Sequence, residues 1–113
     1  MTPLDFAKEY GLTVANEGMG GSRTLSGVYC CDLLSLVMGR AQADEALLTV
    51  MANVNTIAVA VLADVGCVVL CEGIRFDDDV LQKAIDQEVC VLYSEESTFR
   101  TALKFAKALD ITA

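Results

Sequence analysis

Apolar residues along the chain fall into two kinds of pattern. "ALLTVM" (46–51), "CVVLC" (67–71) and "VCVLY" (89–93) are unbroken runs of strand length, and "LTVA" (12–15) and "SGVYCC" (26–31) are shorter β-rich stretches. A strand without polar alternation is covered on both faces. Between these runs lie helical segments. "TPLDFAKEYG" has Thr2 to cap it, Pro3 at the first helical position, Asp5 in the first turn and Gly11 to end it. In "FDDDVLQKAIDQE" Val80, Leu81, Ala84 and Ile85 form one face and the aspartates sit at the favourable end of the dipole. "TFRTALKFAKALD" starts after Ser94 or Ser97 and carries a stripe of Phe99, Leu103, Ala106 and Leu109.

Two helices are more apolar. "LLSLVM" (33–38) has Asp32 as its expected N-cap and Gly39 as its stop; "TIAVAVLADVG" (56–66) has Asn55 and Gly66 in those roles. "NEGMGGSRT" (16–24) is the one glycine-rich stretch and reads as a mobile loop. The order α-β-loop-β-α-β-α-β-α-β-α predicts an α/β fold: a three-layer α/β/α sandwich around a mostly parallel sheet of about five strands. The 56–65 helix is apolar nearly all round, and Thr56, Ala60 and Ala63 give it a small-residue face. A helix of that kind is buried on every side. This predicts a homodimer joined through the apolar helices 33–38 and 56–65.

Length and composition narrow the picture. The 113 residues suffice for a single domain, 1–113, with a real core. The formal net charge of −8 is spread over both halves, and no Lys/Arg cluster interrupts it. Nucleic acid and anionic membrane surfaces are therefore disfavoured partners. The start, "MTPLDFAKEYG", lacks the pattern of a signal peptide, and Asp64 and Gly66 break the longest apolar run. A soluble cytoplasmic protein is expected. There is no histidine, which removes the commonest general base and most zinc chemistry.

The five cysteines raise the question of a metal or redox centre. As strand residues, Cys67 and Cys71 stand about 13 Å apart. Neighbours Cys30 and Cys31 leave opposite faces of their strand, and Cys90 stands alone. No C-x-x-C occurs. Cysteines of different strands can still meet across a sheet, but the pattern favours small core hydrophobes, with no metal and no cofactor.

The blocks "GVYCCDLLSLVMGRA" and "LLTVMANVNTIAVAVLADVGCVVLCEG" resemble the DRTGG-domain family over residues 20–110. The resemblance implies a fold similar to the N-terminal domains of HPr kinase and Mur ligases, which adds mixed strand directions to the sheet. Such domains occur alone in anaerobic bacteria, beside CBS modules, and within phosphotransacetylases. "GGSRT" (20–24) keeps the Arg-Thr pair of the name motif, with serine before the arginine and the glycines ahead of the pair. The implied function is a non-catalytic regulatory module sensing a nucleotide or other small metabolite. Stand-alone members carry the label of iron–sulfur-binding hydrogenase proteins. That implies two alternatives, an accessory factor of a redox or hydrogenase system and an iron–sulfur protein.

In open α/β sheets ligands favour the crevice beyond the carboxyl ends of the strands. There the sequence offers Asp32, Asn53, Asn55, Glu72 with Arg75, and Ser94 to Ser97, with the Gly18–Thr24 loop expected to fold over them. From that loop Arg23, beside Thr24, is placed to clamp a phosphate or carboxylate. "GMGGSRT" lacks the Lys-Ser/Thr ending of a phosphate-binding loop, and "FDDD" lacks calcium-loop spacing. No nucleophile stands beside a recognisable base, so no catalytic residue is expected.

Overall fold

The structure is a computed structural model that describes residues 1–112. Its elements are α1 (Pro3–Tyr10), β1 (Thr13–Asn16), a 3-10 turn (Gly20–Ser22), β2 (Gly27–Cys30), α2 (Leu34–Arg40), β3 (Glu45–Thr49), α3 (Val54–Ala63), β4 (Cys67–Leu70), α4 (Asp78–Asp86), β5 (Val91–Tyr93) and α5 (Thr98–Ala108). The sheet order is β1-β5-β4-β3-β2. β2 to β5 are parallel, and β1 closes the β5 side antiparallel. The mixed five-stranded sandwich of the sequence reading is the architecture observed.

Each step from β2 to β5 moves one strand along the sheet in one direction. Crossovers of one hand therefore put α2, α3 and α4 on one face. There Leu47, Val68, Leu70, Val91 and Tyr93 meet Val37, Ile57, Val59 and Ala60. α5 returns across the other face beside α1, and Phe6 and Phe105, both fully buried, stack at 3.6 Å over Leu48, Cys67, Val69, Cys71, Cys90 and Leu92. Successive residues of β4 thus enter opposite cores, which is why its sequence shows no polar alternation.

The first helix follows its sequence signals: Thr2 and Asp5 form a reciprocal capping box, and Gly11 ends it at φ 74°. Other local expectations are corrected. Asp32 does not cap α2; Leu33 holds that position and its side chain makes no capping bond. Asp32 turns instead to β3, as described below. Gly39 lies inside α2, which continues to Arg40. Asn53, not Asn55, caps α3, accepting from the Asn55 N–H at 2.9 Å. Asp64 at φ 58°, not Gly66, ends α3.

The 16–24 stretch is not a loose loop. Gly20 and Gly21 are buried, and a Cβ on Gly20 would lie 2.1 Å from the Gly66 carbonyl oxygen. The small-residue face of α3 is also corrected: Thr56 and Ala60 point into the chain's own core, and the Thr56 hydroxyl donates to the Met51 carbonyl at 2.5 Å. The apolar residues α3 shows to solvent are Val54, Ala58, Val61 and Leu62. On α5 the Phe99–Leu103 stripe faces outward, because Thr101 and Phe105 take the buried side.

Candidate functional site

The expected site residues divide between the two ends of the parallel strands. Asp32, Asn53, Asn55, Glu72 and Ser94 lie at the carboxyl end. Arg23 and Thr24 precede β2 and lie at the amino end, so their loop does not fold over the others.

At the carboxyl end Asp32, Asn53, Glu72, Arg75 and Ser94 all bond within the chain. Asp32 Oδ1 accepts from the buried Thr49 hydroxyl at 2.8 Å and from the Val50 N–H at 2.9 Å, tying the end of β2 to the end of β3. Replacing Asp32 by alanine leaves both donors short of an acceptor and is expected to lower unfolding free energy by about 2 kcal/mol, measured by urea titration. Glu72 sits at φ 64° in the Cys71–Ile74 turn, where the Ile74 N–H donates to the Cys71 carbonyl. Its carboxylate accepts the Thr98 N–H at 3.2 Å, so the N-terminus of α5 already holds an internal anion. Ser94 shares a 2.8 Å hydrogen bond with Thr101, both buried. Arg75 pairs with Glu95 at 2.6 Å and lies 4.7 Å over the Tyr93 ring. Asn55 is exposed.

The amino end is built differently. Arg23 Nε donates to Asp44 at 2.8 Å, one terminal nitrogen donates to Asp64 at 3.0 Å, and the other to the Asp64 carbonyl at 3.1 Å. Burial opposes the guanidinium charge, but the hydrogen bonds and charges of Asp64 and Asp44 outweigh it and hold Arg23 above its ordinary pKa. The arginine of the "GGSRT" stretch is thus a bracket between the loops that precede β3 and β4. Asp44, Asp64 and Glu88 all adopt positive φ, at 66°, 58° and 57°, in the connections that lead into β3, β4 and β5. They add negative charge where the C-terminal ends of α2, α3 and α4 already point.

Beside Arg23 opens a cleft of about 410 Å³. Ala60, Val61, Val65 and Val89 give it apolar walls, and Arg23, Asp64, Gln87 and Glu88 ring it with polar groups. An apolar groove of about 340 Å³ between α3 and α4 continues from it, sharing Val61 and Gln87. Of the ligand-binding residues expected from the sequence, only Arg23 lines this cleft. Its acids, Asp64 and Glu88, are not among them; in the sequence Asp64 shows only as a break in an apolar run.

The thiols follow the sheet. Cys31 packs with the α2–α4 core, and Cys67, Cys71 and Cys90 with the α1–α5 core. The β4–β5 register sets Cys67 opposite Cys90, whereas Cys71 lies toward the carboxyl end. Burial, with the charge of Glu17, pushes the Cys90 thiol up to about 12. Burial, with neighbouring Cys90, pushes Cys67 well above its usual range. Cys71 is also raised by burial, against hydrogen bonds from Thr101 and Thr98 that lower it. Among the described residues no three Cys, Asp or Glu converge as metal ligands would. No helix among them is long and apolar enough to cross a membrane.

The family model described as "DRTGG domain" matches residues 7–108. The chain belongs to the DRTGG domain family. No curated protein matches it. This DRTGG domain is similar in fold to the crystal structure of the CBS and DRTGG domains of the regulatory region of Clostridium perfringens pyrophosphatase, which was complexed with the activator diadenosine tetraphosphate. The TM-score is 0.70 at 10% identity, over 89% of this chain and 44% of that one. The DRTGG domain therefore spans less than half of that regulatory region.

Proposed function

We propose that this DRTGG domain is a non-catalytic regulatory module, working as a homodimer, that binds a small nucleoside-containing metabolite in the amino-end cleft. The observation that carries the reading is the 410 Å³ cleft, a volume suited to a small ligand, with apolar walls and a few polar groups at its rim. Membership of the family and fold similarity to a nucleotide-activated regulatory region support the ligand class.

The electrostatics add a restriction. Asp64 and Glu88 line the cleft and Asp44 holds Arg23, so a base offering N–H donors suits it and a bound phosphate chain does not. The nucleoside end enters, and any phosphates point to solvent. Thr24, Asp32, Asn53, Asn55, Glu72 and Ser94 keep structural tasks or lie outside this cleft. The non-catalytic reading rests on a chain without histidine whose buried thiols are held protonated.

Thermal-shift titration tests this with adenosine, guanosine, AMP, ATP, diadenosine tetraphosphate and inorganic phosphate. A nucleoside-containing compound at a hundred times its Kd is expected to add about 2.7 kcal/mol, read as a rise in Tm. Val61→Arg, which fills the cleft wall, is expected to abolish the shift and Asn53→Ala to keep it. No shift with any nucleoside compound, or a shift with phosphate alone, overturns the reading.

A further inference from the structure

We infer that the open edge of β2 is the surface through which two copies join, antiparallel, so that one sheet runs through both. This rests on the homodimer reading above and moves its surface from the 56–65 helix to the sheet edge beside the 33–38 helix.

The two edges of the sheet differ. β1 has a register irregularity between Val14 and Asn16, and the Asn16 amide is fastened to the Val89 carbonyl at 2.8 Å. Such an irregularity blunts an edge against further pairing. β2, "GVYC", pairs only with β3, in regular register, and contains no charge and no proline. The Cys31 N–H donates inward to the Leu48 carbonyl at 3.2 Å. Alternation then turns the backbone groups of Tyr29 inward and those of Val28 and Cys30 outward. An antiparallel copy centred on Tyr29 places Val28 opposite Cys30 of the second chain, and the reverse. Each such pair exchanges both N–H···O bonds, so the edge is complementary to itself.

Exposed apolar side chains overhang this edge on both faces. On α5, Thr101 reaches Ser94 and Lys104 reaches Glu96, both next to β5. The opposite flank, toward β2, carries Phe99 and Leu103, 71% and 51% exposed. On α2, which crosses from β2 to β3, Val37 and Ala41 are buried, while Leu33 at the N-cap and Leu36 are 59% and 39% exposed. Charge selects a second copy as occupant. A chain of net −8 repels its copy wherever acids meet. Residues 26–31 and these flanks carry no acid, and Asp32 next to them directs Oδ1 at Thr49 and Val50.

Size exclusion with light scattering on the full chain at tens of micromolar tests the surface. The expected result is a dimer that Val28→Pro and Phe99→Glu each convert to monomer. Val28→Pro removes an outward N–H that serves no bond within the chain, and Phe99 is a surface residue, so circular dichroism is expected to stay native. Leu62→Glu on the outer face of α3 is expected to leave the dimer intact. A monomeric parent chain overturns the dimer reading and this surface together. A dimer that resists both edge variants but is dissolved by Leu62→Glu overturns only the surface assigned here.

Discussion

Replacing Gly20 by alanine is expected to destabilise the protein by about 3 kcal/mol or more and to lower Tm by about 12 °C. The added Cβ would lie 2.1 Å from the Gly66 carbonyl oxygen and 3.1 Å from Cys90 Cβ. The first obstacle is backbone, so no side chain can swing aside. The glycine turn must lift from the loop between α3 and β4, and Met1 and Arg23 hold that turn in place. The Leu25 N–H donates to the Met1 carbonyl, and Arg23 bonds Asp44 and Asp64. Lifting the turn therefore also strains the Arg23 bracket. Gly39→Ala is the matched control. Nothing lies within 4 Å of the Cβ it would add, and Gly39 sits inside α2. There alanine is expected to stabilise by about 0.5–1 kcal/mol. Urea denaturation of both variants with unchanged slope checks the pair of signs. An unaffected Gly20→Ala protein would show that the turn is not packed as described.

That contrast bears on how much of the molecule its sequence displays. The five strands and five helices are visible as apolar runs and as 3.6-residue stripes, because burial on two faces or one writes a period into the chain. Their order nearly determines the sandwich, since parallel neighbours need crossovers of one hand. What the pattern does not display is which polar residue closes which helix. Asp32 precedes an apolar helix and looks like a cap, yet a buried hydroxyl on Thr49, seventeen positions away, holds its carboxylate. Only the β2–β3 register brings these two together. Glycines mislead for a related reason. Gly18, Gly20 and Gly21 are present because other backbone passes close by or side chains crowd them, not because the segment is free. Local sequence cannot separate these causes.

The candidate site illustrates the same limit. The carboxyl-end rule directs attention to residues after the strands, where helix N-termini gather. Here Glu72 occupies the start of α5, and Asn53 and Ser97 cap α3 and α5. The open cleft is at the other end, where acids at positive φ surround one arginine. Seeing it requires knowing that the residues before β3, β4 and β5 share an end of the sheet with the glycine turn. Likewise Phe99 and Leu103 form a convincing stripe on α5, and only the packing of Phe105 on Phe6 shows that the stripe faces away from the chain's own core.

Alkaline pH is expected to unfold this protein through its buried thiols, and Cys90 gives the measurable case. The thiol is 1% exposed, and burial beside Glu17 raises it from an ordinary value of 9.0 to about 12. A folded-state value above the unfolded one means that the native chain keeps its proton where the unfolded chain has lost it. Stability from this group is complete below pH 9, falls as pH rises through the interval from 9 to about 12, and levels off above it. The full span corresponds to about 4 kcal/mol, and about half of it is lost by roughly pH 10.5. Cys67 lies opposite on β4 and is raised in the same direction, so its contribution steepens the loss. Other changes accompany alkaline pH, so the useful quantity is a difference. Cys90→Ala gives up packing at every pH, by about 1 kcal/mol, but has no thiol to ionise at that position. The advantage of the parent over Cys90→Ala at pH 8 should therefore shrink by about 2 kcal/mol at pH 10.5 and change sign. Urea titrations of both proteins at the two pH values, under reducing conditions, read that crossing directly. Parallel curves would mean that the thiolate is solvated in the folded chain, and the closed packing of the glycine turn over Cys90 would then be wrong.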